Sequence, residues 1–281
     1  MAEERASSRT ALAVAALRAA HQSVDQKPLI LEDPVAARLL DPAALDRMRE
    51  KAAELNSPGA RGLRSHVVLR SRFAEDCLRE RVETGLAQFV ILGAGLDTFA
   101  YRQPAWARSL RVFEVDHPAS QEAKRARLRA GGLDLPSNLT FAPVDFESSS
   151  LQEGLEAAGV DFSSPAFFSW LGVTMYLTEE AIDAVLRLAA GFPAGSAMIL
   201  TFAQPDDGSD ATRTGLADKA AQAGEPWIAR FTPRQMEARL RDAGFSSVFF
   251  LSPEEAANRY YRDRTDGLPP PRKINTALAE V

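Results

Sequence analysis

Two glycines and two carboxylates carry the first chemical signal in this chain. Gly93-Ala94-Gly95 follows a short, continuous apolar run, Gln88–Leu92. Glycines in that place let the backbone turn sharply and approach a ligand closely; a tight turn with no ligand is the plain alternative. Asp116 lies 21 residues beyond Gly95, at the tip of the next apolar run. A carboxylate there can accept hydrogen bonds from both hydroxyls of a ribose, or cap the helix that follows. Asp145, with Phe146 next to it, ends a third apolar run. It could accept from an adenine amine while Phe146 packs on the ring face; again a helix cap is the alternative.

Glycine loop and ribose acid together fit a dinucleotide or S-adenosylmethionine (SAM). A nicotinamide fingerprint asks for a third glycine where Thr98 stands, and Asp97 would set a carboxylate beside a pyrophosphate. SAM has no phosphate, so the acid is tolerated. A fourth stretch, Phe168–Leu177, supplies Gly172 for close approach to the methionine end. Tyr176 and Trp170 line either a methyl-transfer cavity or the core. His117 caps the next helix or touches the cofactor, and His21 and His66 read as structural. Tyr176 and His117 are the candidates for a catalytic role.

Elements that could position these residues follow from periodicity. A helix is expected over 7–22, with Leu12, Ala15, Ala16 and Ala19 on one stripe and Arg18 interrupting its apolar run. Asp33-Pro34 is a helix-start signal, and Ser57-Pro58-Gly59 breaks the chain. A second helix spans roughly 63–84, with Leu69, Phe73, Cys77 and Val82 at helical spacing. From residue 88 onward the pattern alternates. Strands are expected at 88–95, 111–115, 139–144, 166–172, 196–203, 247–251 and within 273–281. Helices are expected at 118–132, after Thr178, and after the capping box Thr232–Gln235. This alternation predicts an α/β fold: a doubly wound, mostly parallel, seven-stranded sheet covered on both faces. Ligands of such sheets bind beyond the carboxyl ends of the strands, at the switch point. Residues 1–84 are expected to form a helical cap, and 85–281 the cofactor-binding core. The polar, poorly periodic stretch 204–230 reads as an insertion that joins the cap as a lid.

Composition limits the partners. The net charge is −5, whereas phosphate binding asks for a basic balance, so nucleic acid is not the expected partner. One cysteine and three scattered histidines offer no metal site. The short, Ala-rich N-terminal stretch is neither a membrane span nor a secretory leader, and a cytoplasmic location is expected.

With those residues in hand, the chain resembles the leucine carboxyl methyltransferase-like family. It is most similar to the bacterial branch of SAM-dependent O-methyltransferases associated with polyketide and secondary metabolism. The segments that carry the resemblance are SRTALAVAALRA, Asp33-Pro34, LRSRFAED, QFVILGAGLDTFAYR, VFEVDHP, PVDFE and SWLGVTMYLTEEAI. The resemblance implies that Arg70, with Arg72 as a lesser substitute, grips the carboxylate of SAM. It implies that Gly93, Ala94 and Gly95 form the cofactor loop, that Asp116 binds ribose, and that Asp145 with Phe146 binds adenine. It also implies a small-molecule acceptor methylated on a carboxylate or hydroxyl oxygen. Leu171 stands where the family places a glutamate near the methionine end, which weakens transfer of a protein-carboxylate substrate. The rival readings are an NAD(P)-dependent oxidoreductase and a non-catalytic cofactor-binding protein on the same fold.

Overall fold

The computed structural model describes residues 9–205, 217–218, 220–222, 224–271 and 275–281. Residues 1–8 of the expected cap, 206–216 of the expected insertion and the start of the last expected strand lie outside them.

Seven strands form one sheet: β1 (Gln88–Leu92), β2 (Arg111–Asp116), β3 (Leu139–Pro143), β4 (Ala166–Trp170), β5 (Ala197–Thr201), β6 (Ser247–Phe250) and β7 (Thr276–Glu280). Their order is β3-β2-β1-β4-β5-β7-β6. The pairs from β3 through β5 are parallel, and β7 runs antiparallel between β5 and β6. The chain therefore winds outward twice from β1, once toward β3 and once toward β4. The loops leaving β1 and β4 must diverge, and the gap between them is the switch-point crevice.

β1 is buried along its whole length because both faces are covered. Val90 and Leu92 share one core with Ile182, Val185 and Leu186 of the helix Glu179–Ala190. Phe89 and Ile91 point the other way, into a core with Phe73, Cys77 and Leu78. Those three lie on the long helix Pro58–Val82. Cys77 is an apolar filler there, and burial pushes its thiol up to about 12. A smaller third core joins Ala15 and Ala19 of the helix Arg9–Val24 to Leu39, Leu96 and Leu128.

Two local expectations are corrected, and one helix was not foreseen. Ser57-Pro58 starts the long helix rather than breaking the chain: Ser57 Oγ accepts from Ala60 N, and Pro58 fits the first turn. Asp33-Pro34 opens only a single 3₁₀ turn, Ala36–Leu39, and the longer helix begins at Pro42, with Asp41 Oδ1 accepting from Ala44 N at 2.7 Å. The helix Leu151–Ala157 was hidden by its Ser-rich approach; Ser150 caps it, and it buries only Leu151 and Leu155.

Candidate functional site

A cavity of about 330 Å³ opens above the β1/β4 crevice. Its wall includes Arg70, Gly93, Ala94, Gly95, Asp116, His117, Asp145, Phe146, Gly172 and Tyr176. These sequence-predicted positions thus reach one place, although they are spread over a hundred residues of chain.

Strand register explains the convergence. Asp116 pairs with Pro143 across β2 and β3, so Asp145 sits just beyond the neighbouring strand tip. Val144 N donates to Asp116 O at 2.9 Å, and Ala94 N to Val115 O at 3.0 Å. The glycine turn is therefore stitched to the end of β2. Gly93 has φ +62° and Gly95 φ +44°, the left-handed region that glycine enters without strain. A Cβ on Gly93 would lie 2.3 Å from Val173 Cγ2, so the loops after β1 and β4 touch where a side chain would part them.

Asp116 is half-buried. Its Oδ2 accepts from Gly95 N at 2.5 Å and its Oδ1 from His117 N at 2.7 Å. Burial raises its pKa despite those two bonds. A carboxylate has about four acceptor positions, so capacity remains for a ligand. Asp145 Oδ1 accepts from Glu147 N at 3.1 Å and Oδ2 from Ser148 Oγ at 2.9 Å, an Asx-type turn that fixes the carboxylate at the cavity edge. His117 does cap the helix Pro118–Ala130: its Nδ1 accepts from Ala119 N at 3.2 Å. That leaves Nε2 as the protonated nitrogen of the neutral ring, 4.0 Å from Asp145 Oδ2.

Arg70 faces these acids from the long helix. Among the described residues its guanidinium has no hydrogen-bond or ion-pair partner. Burial, then the like charge of Arg18, pulls its pKa down to about 10, so it stays charged at neutral pH. A Cβ on Gly172 (φ +77°) would come within 2.8 Å of Arg70 Nη1. Gly172 thus takes a left-handed φ and leaves room for the guanidinium beside it. An unpaired cation beside an open cavity fits an anionic ligand group. Arg72, the lesser candidate, is instead paired with Asp76 at 3.0 Å.

Trp170 does not line the cavity. It is fully buried in the core, 6.4 Å from the Phe146 ring. Tyr176 does line it, and its hydroxyl accepts from Trp227 Nε1 at 3.3 Å. His21 is structural: Nδ1 pairs with Asp25 at 2.7 Å, and Nε2 accepts from Ile30 N. Leu171 lines the cavity and brings no charge to it.

Sequence reasoning passed over Thr10, Ala11, Val14 and Arg18, which form a wall from the first helix. Their signal was Arg18 itself, a charge inside an apolar Ala-rich stripe. It also passed over Thr201, whose Oγ1 accepts from Gly172 N at 2.7 Å and whose carbonyl accepts from Thr174 Oγ1 at 2.9 Å. No short-range pattern links β5 to that loop. Among the described residues no cluster has the composition of a metal site, and no helix is long and apolar enough to cross a membrane.

Comparison with known proteins shows the family of the chain. The family model described as leucine carboxyl methyltransferase matches residues 11–190. A Bacillus subtilis protein named "Putative S-adenosyl-L-methionine-dependent methyltransferase YktD" is 35% identical over 204 residues, 71% of this chain and 67% of its own. A similarly named protein of Mycolicibacterium paratuberculosis is 33% identical over 226 residues, 78% of this chain and 72% of its own. A solved structure from Thermobifida fusca, named "a putative methyltransferase", superposes with TM-score 0.58 at 23% identity. It covers 86% of this chain and 91% of that one, which supports the fold. Family match and relatives agree: the chain belongs to the leucine carboxyl methyltransferase family and is a SAM-dependent methyltransferase.

Proposed function

We propose that this methyltransferase acts on an oxygen, carboxylate or hydroxyl, of a small molecule. One observation carries the reading: Asp116, Asp145, the Gly93–Gly95 turn and an unpaired Arg70 share one cavity of small-molecule size. Arg70 would hold the methionine carboxylate, and Gly93, Ala94, Gly95 and Gly172 would let the backbone lie against that moiety. Asp116 would accept from the ribose hydroxyls. Asp145 would accept from the adenine amine, with Phe146 along the ring.

SAM, when bound, supplies a methyl group on a sulfonium: an acceptor oxygen forms the new C–O bond as the C–S bond breaks. The chain's own task is then alignment and exclusion of water. His117 is not free to act as a base, because its Nδ1 lone pair is committed to Ala119 N. Tyr176 is the remaining candidate to orient an acceptor, through a hydroxyl that Trp227 already holds. An acceptor that arrives as an anion needs no base.

The first helix and the segment after residue 217 form the lid in this reading. Thr10, which lines the cavity, donates from its N to Glu225 Oε2 at 3.3 Å. Bound cofactor should slow proteolysis within 204–230; equal cutting with and without it would count against ligand-linked closure.

Incubation with methyl-labelled SAM and panels of small carboxylic acids and phenols tests the acceptor class. Products that release labelled methanol in mild alkali are methyl esters, and stable products are ethers. Label found only on nitrogen or sulfur would overturn oxygen as the acceptor. Tight NAD binding without SAM binding would overturn the cofactor site as well.

A further inference from the structure

Behind the cofactor loop lies an ionic frame of which only Arg18 reaches the cavity wall. Asp33 is its centre and is fully buried. Its Oδ2 accepts from Arg18 Nε at 2.9 Å and from Thr98 Oγ1 at 2.7 Å; its Oδ1 accepts from Ala36 N at 3.0 Å. Arg102 Nε donates to Thr98 Oγ1 at 3.0 Å and lies 3.6 Å from Asp33 Oδ1. Its other nitrogens form a fork on Glu75, at 3.1 and 2.5 Å. Arg18 Nη2 also donates to Leu96 O at 2.5 Å. Two cations and two carboxylates thus balance, with Asp33 fully buried and Glu75 partly exposed.

The frame grips the loop on both sides of Asp97. The Leu96 carbonyl and the Thr98 hydroxyl are held, and Leu96 directly follows Gly95, whose N–H donates to Asp116. Glu75 lies on the same helix as Arg70, so the frame also sets that helix against the loop. Arg18 ties in the first helix, whose Thr10, Ala11 and Val14 form the opposite cavity wall. Apolar residues could fill this space at similar stability. What the charges add is directional: hydrogen bonds at defined angles on three elements that must meet around one ligand.

We propose that Asp33 is a positioning residue for the cofactor, acting through Arg18 and Thr98 to fix residues 95–98. The proposal rests on the cofactor placement given above. Thr98→Val deletes the bridging hydroxyl while keeping every charge, and Thr98→Ser keeps the hydroxyl. Titration calorimetry with S-adenosylhomocysteine, well below the melting temperature of each variant, reads the effect. Thr98→Val should raise Kd about tenfold, the equivalent of one lost hydrogen bond; Thr98→Ser should recover to within about twofold. Asp33→Asn should weaken binding at least as much as Thr98→Val. If it does not fold, the Thr98 pair decides alone.

A frame that is merely structural would lower the melting temperature of Thr98→Val and leave Kd unchanged, which overturns the proposal. Thr98→Ser as defective as Thr98→Val would overturn it too, by removing the hydroxyl from the argument. Asp116→Ala in parallel separates the failures. If it loses affinity while Thr98→Val does not, only the positioning idea falls; if neither loses affinity, the cofactor placement falls with it.

Discussion

Asp116 Oδ2 accepts a hydrogen bond from the Gly95 backbone N–H at 2.5 Å. The two positions that first suggested a nucleoside site are therefore in direct contact, and each fixes the other. Asp116→Ala should lose both this tie and the proposed ribose contacts. We expect SAM affinity to fall by roughly 1–3 kcal/mol, the cost of unmade hydrogen bonds. Calorimetry on the folded variant checks this, and unchanged affinity would remove Asp116 from the site.

Gly93→Ala should damage the site for two separable reasons. Its φ of +62° strains any L side chain, and the new Cβ would meet Val173 Cγ2 at 2.3 Å. Adding Val173→Ala removes the clash and leaves the strain. The double variant should recover part of the lost SAM affinity, with about 1 kcal/mol of strain remaining. No recovery would mean that packing against Val173 is not what keeps this residue bare.

Arg70 makes a prediction that depends on which ligand is used. Arg70→Met should weaken binding of S-adenosylhomocysteine by roughly 1.5–3 kcal/mol, as for a lost charged hydrogen bond. Adenosine has no carboxylate, so its affinity should hardly change. An equal loss for both ligands would place Arg70 elsewhere on the cofactor.

The sheet beneath the site carries a pH dependence of its own. Glu114 pairs with Lys124 at 2.7 Å, both fully buried. Burial pushes the Glu114 pKa from 4.5 to about 7, and Lys124 opposes the shift only in part. A carboxyl raised on folding binds its proton more tightly in the native state. Stability from this group is then full below about pH 4.5 and is lost as pH rises through about 7. Replacing Glu114 alone would strand Lys124, so the informative variant is Glu114→Gln with Lys124→Met. Its melting temperature should decline less than the parent's between those pH values. An identical decline would assign the dependence to other groups.

Local sequence order determined a great deal here. The apolar runs and the glycines, acids and caps between them are short-range features. They sufficed to place seven strands, a doubly wound sheet and the tips where Gly93, Gly95, Asp116 and Asp145 would stand. Burial on both faces writes strands such as β1 as continuous apolar runs, and left-handed backbone writes turns as glycine. Arg70 was legible only through family resemblance, because a charge on a helix looks the same whether it faces water or a ligand.

Tertiary packing decided the rest. Asp33 read as a helix cap, Arg18 as a flaw in an apolar stripe and Thr98 as a missing glycine; folding brings the three within hydrogen-bond reach behind the Gly93–Gly95 turn. Trp170 and Tyr176 were equivalent aromatics in sequence, yet the last residue of β4 is buried in the core while the 3₁₀ turn Thr174–Tyr176 after it brings Tyr176 to the cavity. Periodicity reports which face of an element is apolar, but not which distant element covers that face. Partners separated by tens of residues become definite only when the sheet order is closed.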